Sequence, residues 1–449
     1  MSKEFPDLNR PRRPWPETDL EAERMGSLLR RNMGRFFPGS GDLHERNQGL
    51  YDWVKERSAE GLWPYGLICI DPPFNETTVR HASGADIQGV NLTAVDYMGM
   101  AQHPALREAA IEAIDEFGVH TPSSGPLMGN SATSVELEQR ICRLLDMPYV
   151  FLCPTGWAAA FTAVAGVVRD GDHVVMDELS HQCLQQAAHA STRNVQIFRH
   201  LDNGHLEDRL RAIRTDDPDA GVLIVTEGLF SMDGDAPDFT ELVRLAKQYD
   251  AFTLVDVAHD LGSLGPHGSG SLGAQGVLQD IDIIAGSFSK AFGTNGGFVA
   301  NRSPNVQWAQ LCFGGPYTYS TAMGPVQVAV ANRAVEILTG PEGDTLRTQL
   351  MGNVAHTRAG AEARGLELFG APGPIVPILI GREANSRVAG MRAFQKGLVI
   401  TSLEFPVVQR GAARYRLSLS PRFTHAQLDF ALDVIRDSIR GAEVELAGG

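Results

Sequence analysis

Between about residues 100 and 300, short β-rich runs alternate with amphipathic stretches of helical period: Tyr149 to Leu152, His173 to Met176, Val195 to Phe198, Val222 to Thr226, Phe252 to Val255 and Ile281 to Ala285. Strands separated by a helix run parallel, and runs that are apolar on both faces must be covered on both faces. The pattern predicts an α/β fold with a mainly parallel central sheet between two helical layers. Further on, Pro374 to Gly381 and Tyr415 to Leu419 read as strands, and Thr424 to Arg440 as a helix opened by a threonine cap, so a smaller α+β C-terminal domain is expected. The first 85 or so residues mix prolines, arginines and aromatics without sustained period and read as an arm that packs on the main body or on a partner subunit. The expected division is 1–95, 96–325 and 326–449.

Composition narrows the function. A net charge of −15 argues against a general binder of nucleic acid or of anionic membranes, because phosphate surfaces demand a basic partner. The five cysteines are odd in number, scattered and free of any Cys-x-x-Cys pair, which fits a reducing cytoplasm and gives no metal knuckle. Residues 1–38 lack the apolar core of a secretory signal and carry too many acids for a transit peptide. The uncharged stretch Tyr149 to Val168 is nearly long enough to span a bilayer, but Pro154 and Gly156 interrupt it, so strand, turn and helix is expected instead of a membrane span.

The chemistry concentrates at the ends of the expected strands. Lys290 follows the run Ile281 to Ala285 within Gly286-Ser287-Phe288-Ser289-Lys290-Ala291-Phe292-Gly293, and a desolvated lysine is a neutral amine able to attack an aldehyde. Pro154-Thr155-Gly156-Trp157 lies between a strand and a helix, where free N–H groups and the helix dipole attract phosphate; a plain helix cap is the competing reading. No glycine-rich dinucleotide fingerprint accompanies it. His181, after the strand His173 to Met176, is placed to stack on a planar heteroaromatic ring. Asp256 ends the buried run Thr253-Leu254-Val255, where an acid is costly unless paired; a protonated pyridine nitrogen is such a partner, and the amides of a helix start are another. Ala258 is small enough to lie against a ring face, and His259 is placed to bond a ring oxygen. The 34 residues from Asp256 to Lys290 fit neighbouring strands with one crossover.

Together these segments resemble the α-oxoamine synthases, pyridoxal-phosphate (PLP) enzymes of the aspartate-aminotransferase fold, type I. The likeness rests on Asp96-Tyr97-Met98-Gly99, Thr155-Gly156-Trp157, Leu179-Ser180-His181, Thr226 to Asp235, Val255 to His259, Gly286 to Gly293, Tyr319-Ser320-Thr321 and Arg414-Tyr415-Arg416, and covers roughly residues 90 to 440. It implies Lys290 as the Schiff-base lysine, His181 stacked on the ring, Asp256 on the pyridine nitrogen and His259 on the ring oxygen. It further implies cofactor contacts from Thr155, Gly156, Trp157, Glu227, Ser231, Ala258 and Ser287, with Ser320 and Thr321 supplied by the neighbouring subunit of a homodimer with shared sites. Arg416 matches the arginine that grips the amino-acid carboxylate, and Arg414 reads as structural. No metal is implied.

Four positions depart from the family pattern. Val95 stands where many members have Asn before the Asp/Asn-Tyr-Leu-Gly stretch, Val257 replaces the usual acid, Ser134 stands where a histidine is common, and Glu404 lies near where some members carry another arginine. Glu404 raises the expectation of a pocket favouring a cationic amino acid, against the plainer reading of a solvated surface acid. The reaction the resemblance implies is a decarboxylating Claisen condensation of an amino acid with an acyl thioester, carried by coenzyme A or an acyl carrier protein, to an α-amino ketone. An aminotransferase or lyase on the same fold, and a non-catalytic partner subunit, are the alternatives.

Overall fold

The computed structural model of the protein describes residues 19–36 and 41–447. These form two compact units, one from Val95 to Met351 and one made of the described residues before Val95 together with those from Gly352 onward. In chain order the strands are β1 (Ile68–Cys69), β2 (Glu76–Arg80), β3 (Asp86–Asn91), β4 (Tyr149–Cys153), β5 (His173–Asp177), β6 (Asn194–Phe198) and β7 (Val222–Glu227). There follow β8 (Phe252–Asp256), β9 (Ile283–Ser287), β10 (Gly297–Asn301), β11 (Ile375–Gly381), β12 (Leu398–Val399), β13 (Thr401–Leu403) and β14 (Ala413–Ser418).

The large unit holds a seven-stranded sheet in the order β4-β10-β9-β8-β7-β5-β6. Only β10 is reversed, pairing antiparallel with both β4 and β9, while β9, β8, β7, β5 and β6 run parallel. Every residue of β7, β9 and β10 is buried, as a sheet covered on both faces requires. On one face the helix Gly156–Ala165 brings Ala159, Ala160 and Ala163 against Leu223, Val225, Leu254 and Ile283. Small side chains let it approach closely, and truncating one of the buried leucines or isoleucines beneath it would cost about 2–5 kcal/mol. Gly286 is required inside β9, since a Cβ there would lie 2.3 Å from Cζ of Phe298 on β10.

The division of the chain differs from the one expected. The helix Pro325–Thr339 stays with the large unit, packed on the helices Pro104–Phe117 and Ala132–Leu145. In the small unit, β3 pairs antiparallel with β2 and parallel with β12, in the sheet β1-β2-β3-β12; a second sheet has the order β11-β14-β13. The described part of the N-terminal segment is thus half of a unit that the last hundred residues complete. The final helix, His425–Ala447, begins as expected, with Oγ1 of Thr424 accepting the N–H of Gln427.

Candidate active site

Two acids stand side by side at the carboxyl ends of parallel strands: Glu227 on β7 is the ladder partner of Asp256 on β8, and Asp256 is the partner of Ala285 on β9. Burial pushes the Glu227 carboxyl well up, and the neighbouring Asp256 adds to the shift. Burial raises Asp256 too, while the Lys290 charge pulls it back down. Lys290, half-buried, follows directly from the end of β9. Asp256 also accepts the N–H of Ala258, in the turn after β8, at 3.0 Å, so a turn amide and the lysine charge both act on this acid.

His181 is tied to the same centre: its backbone N–H donates to Oε1 of Glu227 at 2.6 Å. Its Nδ1 lies 2.9 Å from Sγ of Cys183 and accepts the Cys183 N–H at 3.4 Å. Burial keeps the Cys183 thiol protonated and lowers His181, against the pull of Asp256. With Nδ1 an acceptor, the neutral ring carries its proton on Nε2. The Trp157 ring meets the His181 ring edge-on at 5.9 Å. Across the strand ends, Nδ1 of His259 lies 2.8 Å from the Tyr97 hydroxyl, which fixes the imidazole. The next residue, Asp260, is pushed up to about 7 by burial and accepts the Ser271 N–H at 2.7 Å.

Thr155 caps the helix Gly156–Ala165 by accepting the Ala158 N–H at 3.0 Å. The amides of Gly156 and Trp157 in that first turn have no intrahelical acceptor and suit a phosphate. Ser287 closes the other side; a Cβ on Gly156 would lie 2.6 Å from its Cβ. Gly156→Ala is therefore expected to push the loop away from Ser287 and to weaken cofactor retention about tenfold or more, read as loss of bound PLP on dialysis.

His200 braces this region from behind. Its Nδ1 lies 2.9 Å from Asp177 at the end of β5, and its Nε2 lies 3.2 Å from Asp235 in the loop after β7. Asp177 also holds the N–H groups of Leu179 and Leu201, fixing the turn that leads to His181. Burial opposes the imidazolium, but the hydrogen bonds to Asp177 and Asp235 outweigh it and raise the pKa to about 9. A raised folded pKa gives stability that is whole below the unfolded value and lost as pH rises through the folded one. Unfolding titrations should thus show a loss of order 3 kcal/mol between pH ~6.5 and ~9, absent in His200→Gln.

The remaining expected residues are placed as follows. Ser231 is buried in the loop after β7, while Ser320 and Thr321 lie on the segment where Thr321 bridges to Ser124. Val95 opens the large unit, its carbonyl accepting the Tyr97 N–H at 2.9 Å. Ser134 is used locally, forming a capping box with Ser131. In the small unit, Arg416 sits on β14 between Pro377 and Thr401, and Arg414 stacks on Phe369 at 4.6 Å. Glu404 is not a surface acid: both oxygens are taken by the chain's own Arg57 and Arg387, which accounts for its charge without a cationic substrate. Tyr97 belongs to the Asp96–Gly99 motif, whereas Cys183 and His200 carry no local signal in the sequence.

The family described as aminotransferase class I and II matches residues 87–435. The 8-amino-7-oxononanoate synthase of Thermoanaerobacter pseudethanolicus is 34% identical over 385 residues, covering 85% of this chain and 95% of that protein. That of Methylococcus capsulatus is 35% identical over 351 residues, covering 78% and 89%. The chain is an α-oxoamine synthase. Among solved structures, serine palmitoyltransferase of Sphingomonas wittichii superposes on the synthase with a TM-score of 0.83 at 27% identity, over 90% of this chain and all of that one.

The synthase is a PLP-dependent acyltransferase, and the donor set fits that cofactor. A buried acid pair facing one lysine needs a further cation to keep Asp256 ionised, and a protonated pyridine ring supplies it. Among the described residues no helix is long and apolar enough to cross a membrane.

Proposed function

We propose that the synthase joins an amino acid to an acyl thioester and releases thiol and carbon dioxide, with Lys290, Asp256, His181 and His259 as its catalytic residues. PLP, when bound, supplies an aldehyde for the substrate amine and a cationic ring that accepts the electron pair left on the α-carbon. Asp256 would hold the pyridine nitrogen, His181 and Ala258 would flank the ring, and His259 with Tyr97 would meet its oxygen. Thr155, Gly156, Trp157 and Ser287 would hold the phosphate, with Glu227 and Ser231 lining the site. Nζ of Lys290 takes the α-proton. The α-carbon then bonds to the thioester carbonyl as the C–S bond breaks, and the thiolate takes up a proton. Loss of carbon dioxide breaks the bond to the carboxylate carbon, and Lys290 returns its proton to give the α-amino ketone. By its motif, Arg416 is assigned to the amino-acid carboxylate.

The observation that carries this reading is the Glu227–Asp256 pair facing Lys290 and His181 at the carboxyl ends of the parallel strands. A thiol-release assay on PLP-loaded protein tests it, crossing a panel of amino acids with short and long acyl thioesters of coenzyme A and of acyl carrier protein and identifying products by mass. A decarboxylated α-amino ketone supports the condensation and names both substrates. Thiol release only from acyl carrier protein fixes the donor, and amino-group transfer without thiol release favours the aminotransferase reading.

We further infer a cytoplasmic homodimer. Leu127, Met128 and Tyr319 are each more than 80% exposed, apolar or aromatic, and Tyr319 adjoins Ser320 and Thr321. Mixing Lys290→Ala with a Ser320→Ala/Thr321→Ala variant tests shared sites: recovered activity supports them, and none beyond that of the parents counts against them.

A further inference from the structure

A second charged centre lies wholly within the small unit. Glu404 accepts from Nη1 of Arg57 at 3.0 Å and from Nε of Arg387 at 2.7 Å, and all three side chains are at most 1% exposed. Two guanidinium groups on one carboxylate leave a net positive charge in an interior where uncompensated charge is strongly disfavoured. The Trp53 and Trp63 rings, 4.6 and 5.0 Å from the Arg57 guanidinium, soften that charge without cancelling it. Burial lowers Arg57 only to about 10, so it stays charged at neutral pH.

The polar atoms left without a partner here are hydrogen-bond donors: Nη2 of Arg387, Nε of Arg57, Nε1 of Trp53 and the Tyr65 hydroxyl, which can also accept. Of these four residues Arg387 also lines a cavity of about 40 Å³, whose wall further includes Leu62, Trp63, Ser386, Phe394 and Ser402. The Ser386 and Ser402 hydroxyls lie 2.9 Å apart, and one mutual hydrogen bond uses only one of their two hydrogens. His81, also on the wall, adds no charge: burial lowers it, and both ring nitrogens are engaged, by Trp63 O at 2.6 Å and Ser83 Oγ at 2.7 Å.

A surplus of buried donors, a net positive charge and a small cavity all call for an acceptor that is negative. The volume exceeds the roughly 10–15 Å³ that one water needs and suits a halide, formate or acetate. We propose that this cavity binds one small monovalent anion, held by Nη2 of Arg387 and the free hydroxyl hydrogen of the Ser386–Ser402 pair. The bound anion neutralises the Arg57–Glu404–Arg387 cluster and so stabilises the small unit, independently of the reaction at Lys290.

Thermal unfolding of the full-length holoenzyme across sodium bromide tests this, with ionic strength held constant by sodium gluconate, whose anion is too large for the cavity. A saturable rise in Tm is expected. The apparent bromide affinity should weaken about tenfold in Ser386→Ala/Ser402→Ala and tighten about tenfold in Glu404→Gln, which leaves both guanidinium groups uncompensated. Crystals grown in bromide should show an anomalous peak within hydrogen-bond distance of Nη2 of Arg387. If Glu404→Gln does not fold, the serine variant and the bromide peak decide. A flat or linear response, the same in wild type and the double serine variant, together with no bromide in the cavity, overturns the proposal and leaves water as its occupant.

Discussion

Lys290→Ala is expected to cut thioester-dependent thiol release by at least about 10⁴-fold, since the substitution removes both the base for the α-proton and the amine that links to the cofactor. The visible spectrum separates this from simple unfolding. In the wild type the cofactor's absorbance should change when the protein is loaded and again when amino acid is added; in the variant bound PLP should retain the spectrum of the free aldehyde. Partial rescue by a small primary amine such as methylamine would show that a missing amine, not a distorted site, is responsible. Retention of more than about a tenth of the activity would remove Lys290 from the chemistry.

Asp256→Asn should pull activity and stability in opposite directions. Activity is expected to fall by about 10³-fold, because a neutral amide no longer holds the ring nitrogen positive. In the cofactor-free protein the acid is a burden: burial beside Glu227 raises both carboxyls, and the folded state binds those protons more tightly than the unfolded one does. Ionising them therefore costs stability as pH rises above the ordinary carboxylate range. The variant without cofactor should melt at a higher temperature than wild type at pH 8 and show no such advantage at pH 4. A lower Tm at pH 8 would mean that Asp256 is satisfied without the cofactor.

Much of the large unit is written locally. The runs from Tyr149 to Ala285 appear as β4 through β9 with ends shifted by a residue or two, because each is a short apolar segment bounded by turn residues. β10 is not evident locally: Gly296 and Gly297 precede Phe298-Val299-Ala300, a three-residue apolar run behind two glycines that reads as a loop, and its strand character comes from pairing with β4 and β9. The residues proposed as catalytic stand out in the sequence because they follow buried runs, where a lysine or an acid is conspicuous. His200 does not, since its partners lie 23 and 35 residues away and a histidine in a loop has many ordinary explanations. Glu404 is hidden in the same way: its two arginines are 347 and 17 residues distant, and no local pattern reveals them.

The parallel pairing of β3 with β12 joins residues 90 and 91 to residues 398 and 399. On a ribosome adding ~5–20 residues per second, the partner of β3 emerges roughly 15–60 seconds after β3 itself. By the end of that interval the whole of Val95–Met351 has been made and is free to condense around its own sheet, while one edge of β3 still waits unpaired. Nascent chains stalled before residue 398 should accordingly display a protease-resistant middle flanked by a cleavable beginning, and whatever shields that waiting edge in the cell governs how much of the enzyme reaches its finished form.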